Sequence, residues 1–219
     1  MEKIKEKLSY EEFLDWCDED TLAEWVDGEI IMYSPASLRH QDLTDFLISI
    51  LRIYTEAKGL GVMLSAPFQM KLPEHLPGRE PDLIFVSTAN LHRLQKTYLD
   101  GPADLAIEII SEESIDRDRG RKFVEYEASG VQEYWLIDPL RSQAEFYRLG
   151  ADNRYHVVLP DAEGIYHSEV LSGFWLRVSW FWQTPLPPTV RILAEIAGVP
   201  QELVEAFEQA LGGGRRKKG

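Results

Sequence analysis

Between Ser37 and Gly59 the apolar residues Leu43, Phe46, Leu47, Ile50, Leu51 and Tyr54 recur at intervals of three and four, the spacing that lines one face of an α-helix. Gly59 can take the left-handed conformation that ends a helix, so the pattern predicts one long helix here. Upstream, Ser9 and Glu12 have capping-box spacing ahead of Phe13, Leu14 and Cys17, which predicts a short helix over about residues 9–18. Trp25-Val26 and Glu29 to Tyr33 flank Asp27-Gly28, a pair that supplies the positive φ of a tight turn, and they read as a hairpin.

After the long helix the hydrophobic period shortens. Gly61 to Lys71 reads as one or two strands, Pro73, Pro77 and Gly78 interrupt, and Leu83 to Val86 is a strand followed by a loop around Ser87 to Thr97. Asp104 to Ile110 and Val131 to Asp138 are apolar strands separated by a charged helical segment, Asp116 to Ser129, with Gly130 as its stop. Strand, helix, strand predicts a parallel pair joined by a crossover helix inside a mixed sheet. Gln143 to Arg148, Tyr155 to Leu159 and Val170 to Leu176 are expected to add antiparallel strands at an edge, before Pro185, Pro187 and Pro188 and a terminal pair of short helices over 191–211. The predicted class is α/β, a mixed central sheet flanked by helices, divided into a domain over 1–184, a helical appendage over 185–211 and a flexible basic tail over 212–219.

Composition narrows the class. With 219 residues, 44% hydrophobic and 27% charged, the chain suits a globular domain and not a disordered, collagen-like or coiled-coil protein. Its one cysteine, Cys17, can close no internal disulfide and build no structural zinc site, so a cytoplasmic location is expected. Residues 1–8 carry no apolar core of signal-peptide length, and no segment reaches the roughly 18 apolar residues of a spanning helix. Acidic residues outnumber basic ones 37 to 23, a net charge of −14. Four of those basic residues, Arg215 to Lys218, form a terminal run, leaving 19 against 37 over residues 1–211, a net of −18. Such a body repels phosphate. A general nucleic-acid coat protein is therefore excluded, because that binding depends on Lys and Arg displacing counterions.

An acid inside an apolar strand needs a partner, since an unpaired carboxylate in such surroundings costs several kcal/mol, of the order of ~3, or becomes protonated. Glu108, between Ala106, Ile107, Ile109 and Ile110, is that case, and Asp82 opens the strand Leu83 to Val86 directly after Pro81. On adjacent central strands the two would face each other and repel unless a cation lay between them, and carboxylate oxygens suit a hard divalent ion such as magnesium or manganese. Asp118, Lys122 and Tyr126, spaced four apart, share one face of the crossover helix and bring a lysine near the pair. Plainer readings stay open: Asp82 as a turn cap, Glu108 as the ion-pair partner of Lys122, His40 as an inward-facing core histidine, Glu29 as a solvated strand residue. Trp175, Trp180 and Trp182 read as packing or a subunit interface, because only Arg177 lies among them.

In their order these residues resemble the PD-(D/E)XK phosphodiesterases, the restriction endonucleases and their relatives: Pro81-Asp82, an apolar strand with Glu108, then a lysine. A closer resemblance is to the Uma family of bacterial proteins, long described as a domain of unknown function. It is carried by Val26-Asp27-Gly28-Glu29, Ser34-Pro35-Ala36-Ser37 with His40-Gln41, Glu80-Pro81-Asp82, Ile107 to Ser111, Asp118 with Lys122 and Tyr126, and Gly130 to Pro139, over about residues 10–180. The resemblance implies a restriction-endonuclease-like fold and a magnesium- or manganese-dependent endonuclease acting on DNA. It implies Asp82, Glu108 and the backbone carbonyl of Ile109 as metal ligands, Asp82, Glu108 and Lys122 as the catalytic group, and Glu29, His40 and Tyr126 around them. In the usual Glu-x-Lys order the lysine stands two residues after the glutamate, where this chain has Ile110, so the resemblance implies that Lys122 substitutes from the helix. DNA and a second copy of the chain, as a homodimer, are the expected partners, with no membrane. The −18 body and the lysine missing at 110 leave a second reading, a catalytically inactive binding or assembly module on the same fold, and a third in which the substrate is RNA or a structured end.

Overall fold

Ser9 closes the first turn of α1 (Tyr10–Trp16) in both directions: its hydroxyl accepts from the Glu12 N–H at 3.1 Å, and the Glu12 carboxylate accepts from the Ser9 N–H at 2.7 Å. The computed structural model describes residues 7–17, 23–26, 28–32, 37–73, 76–111, 114–115 and 117–212. Expectations placed on Asp27, on Tyr33 to Ala36, on Asp116 and on Arg215 to Lys218 lie outside the described residues. β1 (Ala23–Val26) and β2 (Glu29–Met32) pair antiparallel, with Gly28 at φ 88° beside the turn. In α2 (Leu38–Lys58) the Ser37 hydroxyl accepts from the His40 N–H, Gly59 ends the helix at φ 64°, and the whole predicted apolar stripe is buried.

Next come β3 (Gly61–Ser65), β4 (Gln69–Lys71), β5 (Leu83–Ser87), β6 (Tyr98–Asp100) and β7 (Leu105–Ile109). A π-helical turn, Arg117–Lys122, leads into α3 (Phe123–Ser129), which Gly130 ends at φ 90°. β8 (Glu133–Asp138), β9 (Gln143–Leu149) and β10 (Tyr155–Val157) complete a six-stranded sheet of order β10-β9-β8-β7-β5-β3, in which only β7 and β8 run parallel. β4 and β6 form a parallel pair beside it, β11 (Ile165–His167) and β12 (Trp175–Arg177) an antiparallel one, and α4 (Thr189–Ala197) and α5 (Gln201–Gly212) end the described chain.

Alternation along β7 sorts the layers. Leu105, Ile107 and Ile109 join the α2 stripe with Trp180 and Phe181, while Ala106 and Ile110 face Tyr126 and Tyr134 on the α3 side. Glu108 shares the second parity and so points toward α3. Among the described residues no helix is long and apolar enough to cross a membrane.

Four local expectations change. The loop expected at Ser87 to Thr97 contains a 3₁₀ segment, Thr88–Arg93, because Asp104 accepts from the Ser87 N–H and from the Asn90 amide, both at 2.7 Å. The crossover helix begins as a π turn around Gly120, a weak helix former, and only then becomes α. Strands β6 and β11 have no counterpart in the sequence reading. Val170 to Leu176 is not one strand: only Trp175–Arg177 pairs, and the preceding loop bonds to a side chain instead of a ladder.

That side chain is Glu133, fully buried at the start of β8. One oxygen accepts from the Glu169 and Val170 N–H groups at 2.6 and 3.0 Å, the other from Trp135 Nε1, the Tyr166 hydroxyl and the Ser168 hydroxyl at 3.1, 3.0 and 2.9 Å. Removing it leaves buried donors without an acceptor, each costing about 1–3 kcal/mol. Glu133→Ala should therefore lower the unfolding free energy in urea by about 3 kcal/mol or more, with Glu133→Gln losing less. A loss below about 1 kcal/mol would show that the loop is held by packing alone.

Candidate active site

One end of the sheet collects side chains from both layers. The antiparallel register Leu83↔Ile107 sets the residue before β5 beside Glu108. There Asp82 accepts from the Ile109 N–H at 2.6 Å through one oxygen, and its other oxygen lies 3.2 Å from His40 Nε2. His40 is in the first turn of α2, placed by the Ser37 cap, and reaches Asp82 around the sheet end from the opposite layer. On the α3 side, Glu108 Oε1 accepts from Lys122 Nζ at 2.8 Å and from the Tyr126 hydroxyl at 2.7 Å. Lys122 is 2% exposed, while Ile110, at the usual lysine position, is buried in the apolar cluster.

The structure thus brings Asp82, Glu108, Lys122, His40, Tyr126 and the Ile109 main chain together. Glu29 is exposed on β2, and among the described residues no hydrogen bond or ion pair joins it to Asp82, Glu108 or Lys122.

A third acid stands inside the cluster. Asp118 is buried on the π turn; its N–H donates to the Ser114 carbonyl at 2.8 Å and its carbonyl accepts from the Tyr134 hydroxyl at 3.0 Å. Its Oδ1 lies 3.5 Å from Lys122 Nζ and 3.7 Å from Arg117 Nε but accepts no hydrogen bond. The four-residue spacing to Lys122 was its signal in the sequence. Burial, reinforced by the charges of Glu108 and Asp118, pushes the Tyr134 phenol well above its ordinary pKa and keeps it a donor.

The turn that carries Asp118 and Lys122 is pinned at its far side. Arg119 donates to Asp138 at 2.9 Å and to Glu145, and Asp138 also accepts from the Leu140 and Arg141 N–H groups, both at 3.0 Å. Burial raises the Asp138 pKa, but Arg119 and Arg141 outweigh it and the net shift is downward. Arg79, buried, grips Glu125 of α3 through two bonds of 2.7 and 2.9 Å. Sequence reasoning missed this pair, since partners 46 residues apart leave no local spacing.

Two carboxylates and a carbonyl are hard oxygen donors. Magnesium keeps several waters and takes only one or two protein carboxylates besides phosphate oxygens. Among the described residues no group of three or more His, Cys, Asp or Glu is placed to hold a metal ion, and the donor set of Asp82, Glu108 and a main-chain carbonyl would suit a hydrated cation rather than a closed cage. The Asp82 side chain, 21% exposed against 4% for Glu108, is the open side.

The chain matches the family model Uma2, described as "Putative restriction endonuclease", over residues 10–179. Among solved structures it is similar to a protein from Anabaena variabilis ATCC 29413 described as "a putative nuclease belonging to DUF820". The identity is 16% and the TM-score 0.66, over 80% of this chain and 97% of that one, a likeness of fold. No curated protein matches.

His40 yields a pH prediction for the metal-free protein. Burial works against its charged form, yet the hydrogen bond and charge of Asp82, the Ile109 main chain and Asp118 outweigh it, so its pKa is raised. A raised value in the fold means that this contact adds stability at low pH and loses it as pH climbs through the folded pKa. An NMR titration of the imidazole in chelator should place His40 above an ordinary histidine, and Asp82→Asn should bring it down. A wild-type value at or below the ordinary range would contradict the contact.

Proposed function

Because the chain belongs to the Uma2 family and one end of its sheet gathers Asp82, Glu108 and Lys122, we propose that it is a divalent-metal-dependent endonuclease hydrolysing DNA phosphodiester bonds. The observation that carries this reading is a buried ammonium 2.8 Å from Glu108, next to a residue whose N–H is bound by the second acid. Asp82, Glu108 and the Ile109 carbonyl would hold magnesium or manganese, which when bound lowers the pKa of its water and offsets charge on phosphoryl oxygens.

The protein's own groups do the rest. Lys122 orients the attacking water or stabilises charge that develops on the phosphoryl oxygens, in surroundings where water screens it little. Tyr126 fixes the Glu108 carboxylate from the side opposite solvent, and His40 together with the Ile109 N–H fixes Asp82. Glu29 is assigned to the rim on its place in the family order. The nuclease domain is taken as 1–184 with α4 and α5 as its appendage, acting in the cytoplasm as a homodimer. A net charge of −14 means that DNA approaches only where cations offset the body's repulsion.

One observation favours the inactive module: Glu108 Oε1 is already satisfied by Lys122 and Tyr126, as a structural ion pair would be. Manganese titration separates the two readings. The nuclease reading expects saturable binding, weakened at least about tenfold, roughly 1.4 kcal/mol, by Asp82→Asn or Glu108→Gln, each of which also abolishes magnesium-dependent plasmid cleavage. Equal binding by both variants and wild type, with no cleavage by any of them, would leave the module.

A further inference from the structure

Glu108 Oε1 has two donors in the metal-free arrangement, Lys122 and Tyr126, yet the nuclease reading assigns the same carboxylate to a divalent cation. An ammonium bonded to that carboxylate is repelled by the incoming cation, and in a weakly screened interior the repulsion is strong. Lys122 must therefore have somewhere else to go, and a lysine this deeply buried cannot be left unpaired without a large penalty.

Asp118 supplies an anion within reach. Its Oδ1 is buried, accepts no hydrogen bond, and stands 3.5 Å from the same Nζ, a few tenths of an ångström beyond a normal bond. A buried carboxylate oxygen left short of a donor calls for an explanation, because folding ordinarily satisfies such atoms. The Asp118 backbone is fixed at both ends, by the Ser114 carbonyl and the Tyr134 hydroxyl, and the turn is clamped through Arg119 to Asp138. The flexible partner is the four-carbon arm of Lys122.

We propose that Asp118 is a positioning residue, a second seat to which the Lys122 ammonium moves when Glu108 takes the divalent cation. The inference rests on the nuclease reading and deepens it. It explains how a lysine supplied by the crossover helix can neutralise Glu108 in the resting protein and still serve the reaction. Held by Asp118, the ammonium stays charged and stays beside the carboxylates, where a phosphate would lie.

Crystals of the full chain soaked in calcium chloride test this without turnover. The expected result is calcium at Asp82 and Glu108, with Lys122 Nζ drawn to within about 3.2 Å of Asp118 Oδ1. Calcium at the site with Lys122 still on Glu108, or turned away from both acids, would overturn the second seat alone. Calcium absent from Asp82 and Glu108 would overturn the metal reading, and the second seat with it. In solution, Asp118→Asn should lower kcat by about tenfold or more and weaken manganese binding, because the displaced ammonium has lost its second anion, and Asp118→Glu, which keeps the anion, should recover part of both; in a Lys122→Met background, where no ammonium is displaced, Asp118→Asn should leave manganese affinity unchanged. Loss of manganese affinity on Asp118→Asn in the Lys122→Met background would make Asp118 a ligand and overturn the positioning role.

Discussion

The contact between Lys122 and Glu108 is the constraint around which the surrounding structure is arranged. Two charges taken out of water and set 2.8 Å apart cost several kcal/mol each, of the order of ~5, to desolvate, and the pair persists only if its remaining valences are met. Tyr126 meets one of them, and Asp118 lies just beyond bonding distance of the lysine. Holding that geometry requires a rigid frame: the parallel β7-β8 pair beneath it, the clamp from Arg119 to Asp138, and the two hydrogen bonds from Arg79 to Glu125 that fix α3. An apolar pair of the same volume would pack at lower cost, so the charged pair is a cost that the surrounding frame has to support.

On the nuclease reading, the same reasoning bears on how an acidic protein could address a polyanion. At the candidate site Glu108 is already balanced by Lys122, and Asp82 faces His40, whose raised pKa favours its charged form. Lys122 therefore offsets part of the negative charge that Glu108 and Asp118 bring to this end of the sheet. A hydrated divalent ion would add positive charge there, making substrate approach conditional on metal.

How much of this the sequence revealed depended on the range of the interaction. The α2 stripe, the glycine stops at 59 and 130, the hairpin glycine at 28, and the crossover pair were legible because each is a local period or a single residue with a conformational need. Asp82 and Glu108 stood out because an acid in an apolar strand conflicts with its neighbours. Features built by distant side chains stayed hidden. Asp104 caps the 3₁₀ segment from 17 residues away, Glu133 takes the amides of a loop 36 and 37 residues later, and Arg79 finds Glu125 across 46. Periodicity alone did not place His40 beside Asp82, since that depends on how α2 crosses the sheet end; only the family resemblance put it near the site.

The central claim is that Lys122 acts on the reaction and is more than the counter-ion of a buried glutamate. Its most direct test is Lys122→Met, assayed for magnesium-dependent cleavage of plasmid DNA alongside manganese affinity and urea stability. The account predicts a protein that is folded though less stable, that binds manganese at least as well as wild type, and that has lost cleavage, because the resting ion pair with Glu108 goes together with the contact that acts on the reaction. Undiminished cleavage by that variant would contradict it.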